Sequence, residues 1–332
     1  MYYPYINIFG NEVPTWLIFG GMNMVLGKCL LLYLGYKRGI EFSNWFFLIF
    51  FATLGAAVGA VVLPSIIGVL SGFIGCLFLG KRIIGINEET GDLIAVYIAV
   101  VFSIGRLGCL FNGCCFGTPV NIFPGISYPY GTLPHWLHQT SGLISNISMS
   151  SLPVHPVQFY ESLFLFFCAI TIIRYSPKMR SKNALLPFFF GCCLLFRFGI
   201  EFFRGTSNVW WSLLSFGSFS YFQWILLICG ALMFLVSFRM NRNFKPKVIL
   251  PVTHPKLLVQ FAILIATYFL IMKLSPHLQL IHLFQLIILS WVGGFLLFSH
   301  ILKHYFFKPI SSICQAMFIS GILLSPLISR EL

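Results

Sequence analysis

Five charged side chains lie within or at the ends of strongly apolar runs, and their chemistry needs an explanation. They are Arg106, Glu161, Arg197, Glu201 and Arg204. A charge at the centre of a membrane helix costs about 2.5 to 3.5 kcal/mol even on a lenient insertion scale, so a chain that keeps several of them has a use for them. The two uses that these residue types allow are recognition of an anion and a buried ion-pair lock between helices.

The spacing of the last three charges predicts a common surface. Arg197, Glu201 and Arg204 are separated by four and three residues, which places them on one face of a predicted helix. Two arginines against one glutamate leave a surplus positive charge. Arg106 adds to the surplus, since its own apolar run near residues 93–112 contains no acidic residue.

A glycine-rich segment that contains Arg106 extends from Gly105 to Gly117. Glycines allow a backbone to approach a ligand closely and to direct its N–H groups at an anion. Next to an arginine inside the membrane, such a loop predicts recognition of a phosphate whose carrier is also apolar, which describes a phospholipid head group.

A third polar element begins another apolar run, with Pro156 suited to a first helical turn. Gln158, Glu161 and Ser162 share one face of that predicted helix. We expect Glu161 to have a function, because an unpaired carboxylate one turn inside the membrane is costly. For His155 the alternative is a solvated loop residue, as we expect His135 and His138 to be.

Three of the ten cysteines form a cluster, Cys109, Cys114 and Cys115. The spacing lacks the Cys-x2-Cys pairing of zinc sites, so no metal site is predicted. A redox pair between Cys109 and one of the other two is an open alternative. We expect neutral thiols that line the site, although the field of Arg106 favours a thiolate.

The elements that position these residues are membrane helices. Of 332 residues, 58% are hydrophobic and 9% are charged, whereas a soluble domain carries about 25% charged residues. This composition excludes a cytosolic enzyme, a disulfide-rich secreted domain and a disordered chain. The net charge of +13 comes from basic residues crowded into short connectors, so it does not indicate nucleic acid. The fold class is an all-α integral membrane protein.

Apolar runs of about 20 residues predict seven core spans, near residues 15–36, 44–63, 65–80, 93–112, 157–174, 184–203 and 219–238. Three further spans are predicted near 257–274, 280–302 and 309–328. We expect a core at 1–243, a basic linker at 244–256 and a helical extension at 257–332. Lys and Arg crowd into alternate connectors, which predicts an outside amino terminus and an outside connector between Leu107 and Tyr160.

At its polar motifs the sequence resembles the prolipoprotein diacylglyceryl transferases of bacterial inner membranes. Three motifs occur in order: Gly-Arg-x-Gly-x-x-x-Asn-Gly from Gly105, His-Pro-x-Gln-x-Tyr-Glu from His155, and Arg-Phe-x-x-Glu-Phe-x-Arg from Arg197. The resemblance implies transfer of diacylglyceryl from phosphatidylglycerol to the lipobox cysteine in the signal peptide of a prolipoprotein, without a cofactor.

The resemblance also assigns roles to individual residues. The implied catalytic residues are Arg106, Arg197, Glu201 and His155. The implied substrate-binding residues are Gly105, Gly108, Asn112, Gly117, Gln158, Tyr160, Glu161, Arg204 and Gln223.

Several positions depart from the family pattern. Cys109 stands for an asparagine, Cys114 for a glutamate and Cys193 for a tyrosine, and Leu70-Ser71-Gly72 lacks the histidine of the family's His-Gly-Gly segment. A non-enzymatic or differently specific lipid-binding paralogue is therefore the alternative to an active transferase.

Overall fold

The computed structural model describes residues 5–8, 11–62, 66–84, 86, 89–204 and 215–244. The described part is mostly helical, and its eight α-helices are α1 (Thr15–Lys37), α2 (Phe42–Val62), α3 (Ile66–Ile84), α4 (Gly91–Asn112), α5 (Leu133–Thr140), α6 (Val157–Tyr175), α7 (Leu185–Ile200) and α8 (Tyr221–Arg242). Two short antiparallel hairpins join β1 (Tyr5–Ile8) to β2 (Asn11–Pro14) and β3 (Ser215–Phe216) to β4 (Phe219–Ser220).

Five helical segments are long and apolar enough to cross a membrane. They are Ile18–Lys37, Gly91–Asn112, Val157–Lys178, Leu185–Phe203 and Tyr221–Arg242. The helical membrane character predicted from composition is confirmed. The count of seven core spans stays a prediction, and the three runs predicted after residue 257 lie outside the described residues.

The described residues divide into two compact units, one within residues 1–23 and 89–244 and the other within residues 24–86. In the second unit, α2 and α3 pack closely because small residues meet. A Cβ atom on Gly55 would lie 2.4 Å from the carbonyl oxygen of Gly72. The Trp45 indole N–H donates to the carbonyl oxygen of Leu31 over 2.9 Å.

The first unit contains every predicted site residue, and α4 and α6 form its centre. Ser103 and Ser162 each donate a hydroxyl to the other's carbonyl oxygen over 2.9 Å, so the two helices are joined by reciprocal hydrogen bonds. Helices α7 and α8 pack through Gly191, whose Cβ would lie 3.1 Å from the ring of Phe234. Small residues that permit close backbone approach are typical of helix packing in membranes.

The connector between α4 and α6 is a folded element, although no secondary structure was predicted there. Antiparallel bridges pair Val154 with Pro119 and Ile126, and Phe116, Tyr128 and Val154 form a small buried core. α5 lies within this connector.

Two histidines of the connector are buried, so the prediction that they are solvated was wrong. His135 Nε2 lies 2.8 Å from the carbonyl oxygen of Ser148, and His138 Nδ1 accepts the Leu152 N–H over 3.2 Å. One backbone hydrogen bond holds each ring, and hydropathy alone carries no signal for such contacts.

Candidate active site

Three arginines and two glutamates meet where α4 and α7 end and α6 begins. Arg106 Nε lies 2.7 Å from Glu161 Oε2, and Nη1 of Arg197 and of Arg204 lie 3.7 and 3.9 Å from Glu161 Oε1. Arg197 Nη2 lies 2.7 Å from Glu201 Oε2. The Glu161 side chain is only 7% exposed, so it is a buried anion shared by three cations.

This geometry changes the charge balance inferred from sequence. Glu161 of α6 compensates Arg106 of α4, so three arginines and two glutamates leave a formal surplus of one positive charge. The prediction of a common helical face for Arg197, Glu201 and Arg204 was partly wrong. α7 ends at Ile200, a 3-10 turn follows, and Arg204 has extended backbone angles.

Several buried polar atoms around this cluster have no hydrogen-bond partner within the part of the chain that the structure describes. They include Glu161 Oε2, Arg197 Nη1 and Glu201 Oε2. The short contact of Arg106 with Glu161 is thus an ion pair whose N–H direction misses the oxygen. Buried polar groups are normally satisfied, so this set indicates a place where a polar ligand or water binds.

Unsatisfied amide groups border the same cluster. Gln158 Oε1, Gln223 Nε2 and Asn23 Oδ1 are buried without a partner among the described residues. Asn23 lies next to Gly105, the residue before Arg106. A Cβ placed on that glycine would be 3.6 Å from Asn23 Nδ2. Asn23 was not among the site residues predicted from sequence, although a polar amide within an apolar run was a usable signal.

The glycine-rich segment is shaped by close contacts. Gly113 adopts a positive φ of 72° and ends α4. A Cβ on Gly117 would lie 2.5 Å from the Phe203 carbonyl oxygen, and one on Gly108 would lie 2.9 Å from Phe19 Cβ. Gly117 also pairs with Arg204 in an antiparallel bridge. The glycine at 117 therefore lets the loop approach the arginine cluster.

Gln158 and Asn112 act on the loop rather than on the cluster. Gln158 Nε2 donates to the Cys114 carbonyl oxygen over 2.6 Å, and the Asn112 side chain hydrogen-bonds the Cys114 thiol. Gln158 thus fixes the backbone that follows α4, whereas Asn112 contacts the Cys114 side chain. The side-chain oxygen of Gln158, Oε1, has no hydrogen-bond partner among the described residues and is available to a ligand.

His155 contacts Tyr160, Phe203 and the backbone of the loop at Gly117. Its Nδ1 is 3.4 Å from the Tyr160 hydroxyl, and its ring stacks edge-on against Phe203 at 5.1 Å. The His155 backbone N–H donates to the Thr118 carbonyl oxygen. His155 and Tyr160 are therefore brought together with the loop of Gly117.

Gln223 begins α8 through a capping box with Ser220. The Gln223 N–H donates to the Ser220 hydroxyl over 3.2 Å, and the Ser220 N–H donates to Gln223 Oε1 over 3.0 Å. Arg197 lies over the neighbouring Phe222 ring at 5.9 Å, which places the start of α8 beside the arginine cluster.

The three clustered cysteines lie at the same site. Cys114 Sγ donates to the Cys109 carbonyl oxygen over 3.8 Å, and Arg106 interacts electrostatically with Cys115 and Cys109. Within the described residues, no group of three His, Cys, Asp or Glu side chains is arranged to hold a metal ion. Chemically, the arrangement offers cationic guanidinium groups, unsatisfied amides and a thiol to a polar group that enters from an apolar environment.

The comparisons with known proteins agree with the motifs. The model of the family described as prolipoprotein diacylglyceryl transferase matches residues 65–238. Phosphatidylglycerol–prolipoprotein diacylglyceryl transferase 2 of Clostridium perfringens is 22% identical over 254 residues, which cover 69% of this chain and 93% of that protein. The Clostridium tetani enzyme of that name is 27% identical over 128 residues, covering 39% of this chain and 46% of that protein.

A relative from a second genus extends this pattern. The Treponema denticola phosphatidylglycerol–prolipoprotein diacylglyceryl transferase is 28% identical over 150 residues, covering 41% of this chain and 44% of that protein. The matched family region includes all the charged residues of the cluster. The chain belongs to the prolipoprotein diacylglyceryl transferase family.

Proposed function

We propose that this chain transfers the diacylglyceryl group of phosphatidylglycerol to the lipobox cysteine of prolipoproteins. The observation that carries the proposal is the cluster of three partly buried arginines with Glu161 and Glu201, which has a formal surplus of one positive charge. A phosphodiester supplies one negative charge and acceptor oxygens, which match that surplus and the unsatisfied Arg197 Nη1.

The reaction requires a thiolate to displace a phosphate ester at the glyceryl carbon. Sulfur forms a thioether, the carbon–oxygen bond breaks, and glycerol phosphate leaves with the electron pair. Arg106, Arg197 and Arg204 stabilise the charge that develops on the phosphate, because they are already oriented by Glu161 and Glu201. Catalysis thus uses cations whose positions are fixed before the substrate arrives.

The surroundings determine how the lipid is oriented. Gln158 and Gln223 present unsatisfied amide groups that suit the glycerol hydroxyls. The glycine loop at Gly117 places backbone close to the cluster without side-chain bulk. The acyl chains stay in the bilayer beside the apolar helices. We place the site at the outer face of the bacterial cytoplasmic membrane, with the amino terminus outside, from the distribution of Lys and Arg.

The test is complementation of a bacterial strain depleted of its own transferase, followed by mass spectrometry of a reporter lipoprotein. A parallel assay uses purified protein in phosphatidylglycerol vesicles with a lipobox peptide. We expect Arg106→Ala and Arg197→Ala each to lower transfer at least 100-fold, the magnitude typical of a lost oxyanion donor. Lysine should restore little, since it cannot bind a phosphate through two parallel hydrogen bonds.

The matched control is Arg174→Ala, because Arg174 is an exposed basic residue in the last turn of α6. It should retain transfer within about two-fold, in keeping with the small effect of surface substitutions. Near-normal transfer by both Arg106→Ala and Arg197→Ala would disprove the phosphate assignment.

A second candidate is a lipid-binding paralogue without transferase activity. The departures from the family pattern favour it, above all Cys109, Cys114 and the missing histidine near Leu70. Binding of phosphatidylglycerol, with no mass added to any reporter lipoprotein, would support this candidate over the first.

A further inference from the structure

The connector between α4 and α6 exposes large apolar side chains that the proposed function does not use. Five of them surround α5, and we call them the connector patch: Tyr130, Leu133, Trp136, Ile147 and Met149. Their exposed fractions range from 45% for Leu133 to 87% for Ile147. Single exposed apolar residues are common on proteins, whereas a contiguous group of them marks a surface that meets another apolar body.

Backbone and ring contacts hold the parts of the connector patch next to one another. The Tyr130 N–H donates to the Met149 carbonyl oxygen over 2.9 Å, so these two residues are neighbours. His135 of α5 lies 4.8 Å from the Tyr130 ring, and its Nε2 lies 2.8 Å from the Ser148 carbonyl oxygen. The stretch that carries Ile147 and Met149 is therefore tied to α5, and the patch is one surface.

Helix α5 has the reverse of the polarity that a surface helix has in a soluble protein. His135 and His138 lie on its buried side. Leu133 and Trp136, three positions apart, share the opposite face and are exposed. A helix in water turns its apolar stripe to the core and its polar residues to the solvent. The orientation of α5 therefore indicates that its outward face does not meet bulk water.

The composition of the connector indicates that the apolar body is lipid. No Asp, Glu, Lys or Arg occurs between Leu107 and Tyr160, whereas a soluble segment of that length carries about a dozen charged residues. A protein-binding surface has an apolar centre within a polar rim that faces water. The connector patch instead includes Trp and Tyr, the residue types that are enriched where a membrane meets water.

The connector also lies where lipid is present. α4 ends at Asn112 and α6 begins at Val157, and both belong to helical segments long and apolar enough to cross a membrane. Consecutive spans bring both ends of the connector to the same membrane face. Antiparallel bridges pair Val154, close to the start of α6, with Pro119 and Ile126. The body of the connector is thus folded back onto its two ends, at the level of the membrane surface.

We propose that the connector patch is an interfacial anchor that rests on the bilayer, with its side chains among the glycerol and upper acyl groups of the lipids. The Trp136 indole and the Tyr130 phenol suit this depth, because each joins an apolar ring to a polar group that reaches the head-group layer. Since the patch has no charge, zwitterionic and anionic lipids serve equally. The anchor does not depend on lipid transfer.

The first experiment locates Trp136 by fluorescence of the full-length protein in phosphatidylcholine nanodiscs that hold one copy each. The emission of the wild-type protein minus that of Trp136→Phe reports this indole, and phenylalanine keeps the patch apolar. We expect a lipid brominated near the head-group end of its acyl chains to quench the difference emission at least about three-fold more strongly than aqueous iodide does. Stronger quenching by iodide would overturn the proposal.

The same measurement separates lipid from the other partners that an apolar surface can bind. Because each nanodisc holds a single copy, protection of Trp136 from iodide cannot come from a second chain. If iodide quenches Trp136 until a lipobox peptide is added, the patch binds peptide and the lipid anchor is wrong. If brominated lipid quenches Trp136 with and without the peptide, the anchor is confirmed.

The second experiment places charge on the patch. Ile147 and Met149 are 87% and 77% exposed, so the double variant Ile147→Glu/Met149→Glu leaves the packing within the protein intact. We expect iodide quenching of Trp136 to rise at least about two-fold, because carboxylates are costly to hold in an apolar environment. The control, Ile147→Leu/Met149→Leu, should match the wild type.

Unfolding in SDS should be the same for all three proteins, which separates lost anchoring from lost folding. Unchanged iodide quenching in the glutamate variant would contradict the proposal.

Discussion

Replacement of Glu161 by glutamine tests the organisation of the charge cluster most directly. The substitution keeps the shape of the side chain and removes the anion that three arginines share, at 2.7, 3.7 and 3.9 Å. The matched control is Glu201→Gln, which removes an anion of the same type whose one ion-pair partner among the described residues is Arg197, at 2.7 Å. The two variants differ in how many cations lose their partner.

The structure sets the expected magnitudes. Removing one partner of a buried ion pair costs about 3 to 5 kcal/mol. The three arginine side chains are 16 to 25% exposed, so water compensates part of this loss. We therefore expect Glu161→Gln to lower the free energy of unfolding by about 2 to 3 kcal/mol. For Glu201→Gln we expect about 1 kcal/mol, since one partly buried pair within a single segment is lost.

The assays are unfolding in mixed micelles with increasing SDS and transfer to a lipobox peptide. Transfer by Glu161→Gln should fall about 100-fold, because misaligned arginines stabilise the leaving phosphate less well. Equal stability losses in the two variants would refute the idea that Glu161 organises three arginines. Faster transfer by Glu161→Gln would mean that total positive charge, and not its alignment, limits the reaction.

The other predictions concern the loop, the topology and the pH response. Gly117→Ala should lower both transfer and stability, because the new Cβ would lie 2.5 Å from the Phe203 carbonyl oxygen. The control is Gly199→Ala in α7, whose Cβ would meet no atom within 4 Å and which should be tolerated. Transfer and SDS-unfolding assays compare the two variants. A cysteine at Ser145 should react with an impermeant reagent in intact cells, and one at Lys178 should not; the reverse pattern contradicts the topology. Burial, followed by the nearby His135, holds the pKa of His138 below its ordinary value. As the pH falls, the His138 imidazole is therefore protonated at a higher pH in the unfolded chain than in the folded protein. Folded-state stability of the connector is therefore complete above about pH 6.5 and decreases below it. Hydrogen exchange of the Leu152 N–H, which donates to His138, should speed up on acidification, and a pH-independent opening equilibrium would contradict this.

The sequence alone determined the helical membrane class and closely predicted the helix bounds. The run predicted near residues 93–112 is helix α4 at Gly91–Asn112, and that near 157–174 is α6 at Val157–Tyr175. The reason is local: a bilayer leaves every backbone polar group to be satisfied within its own segment, so an apolar run of sufficient length becomes a helix. The costly charges within these runs indicated the site for the same reason.

Only the tertiary structure decided how those charges pair. Glu161 and Arg106 are 55 positions apart, and their contact depends on the register of α4 against α6 that Ser103 and Ser162 fix. Helical periodicity could not show that α7 ends at Ile200 and leaves Arg204 in extended backbone beside Gly117.

The connector and the cysteine cluster depended on tertiary structure in the same way. Buried His135 and His138 are satisfied by backbone groups of a loop whose fold has no periodic signal. Cys115 differs from its neighbours because its backbone is left-handed, with a φ of 58°, and helical periodicity carries no signal for such a residue. Sequence specifies which polar residues enter the membrane, whereas packing between helices specifies their partners, since pairing energies depend on distances between segments remote in the chain.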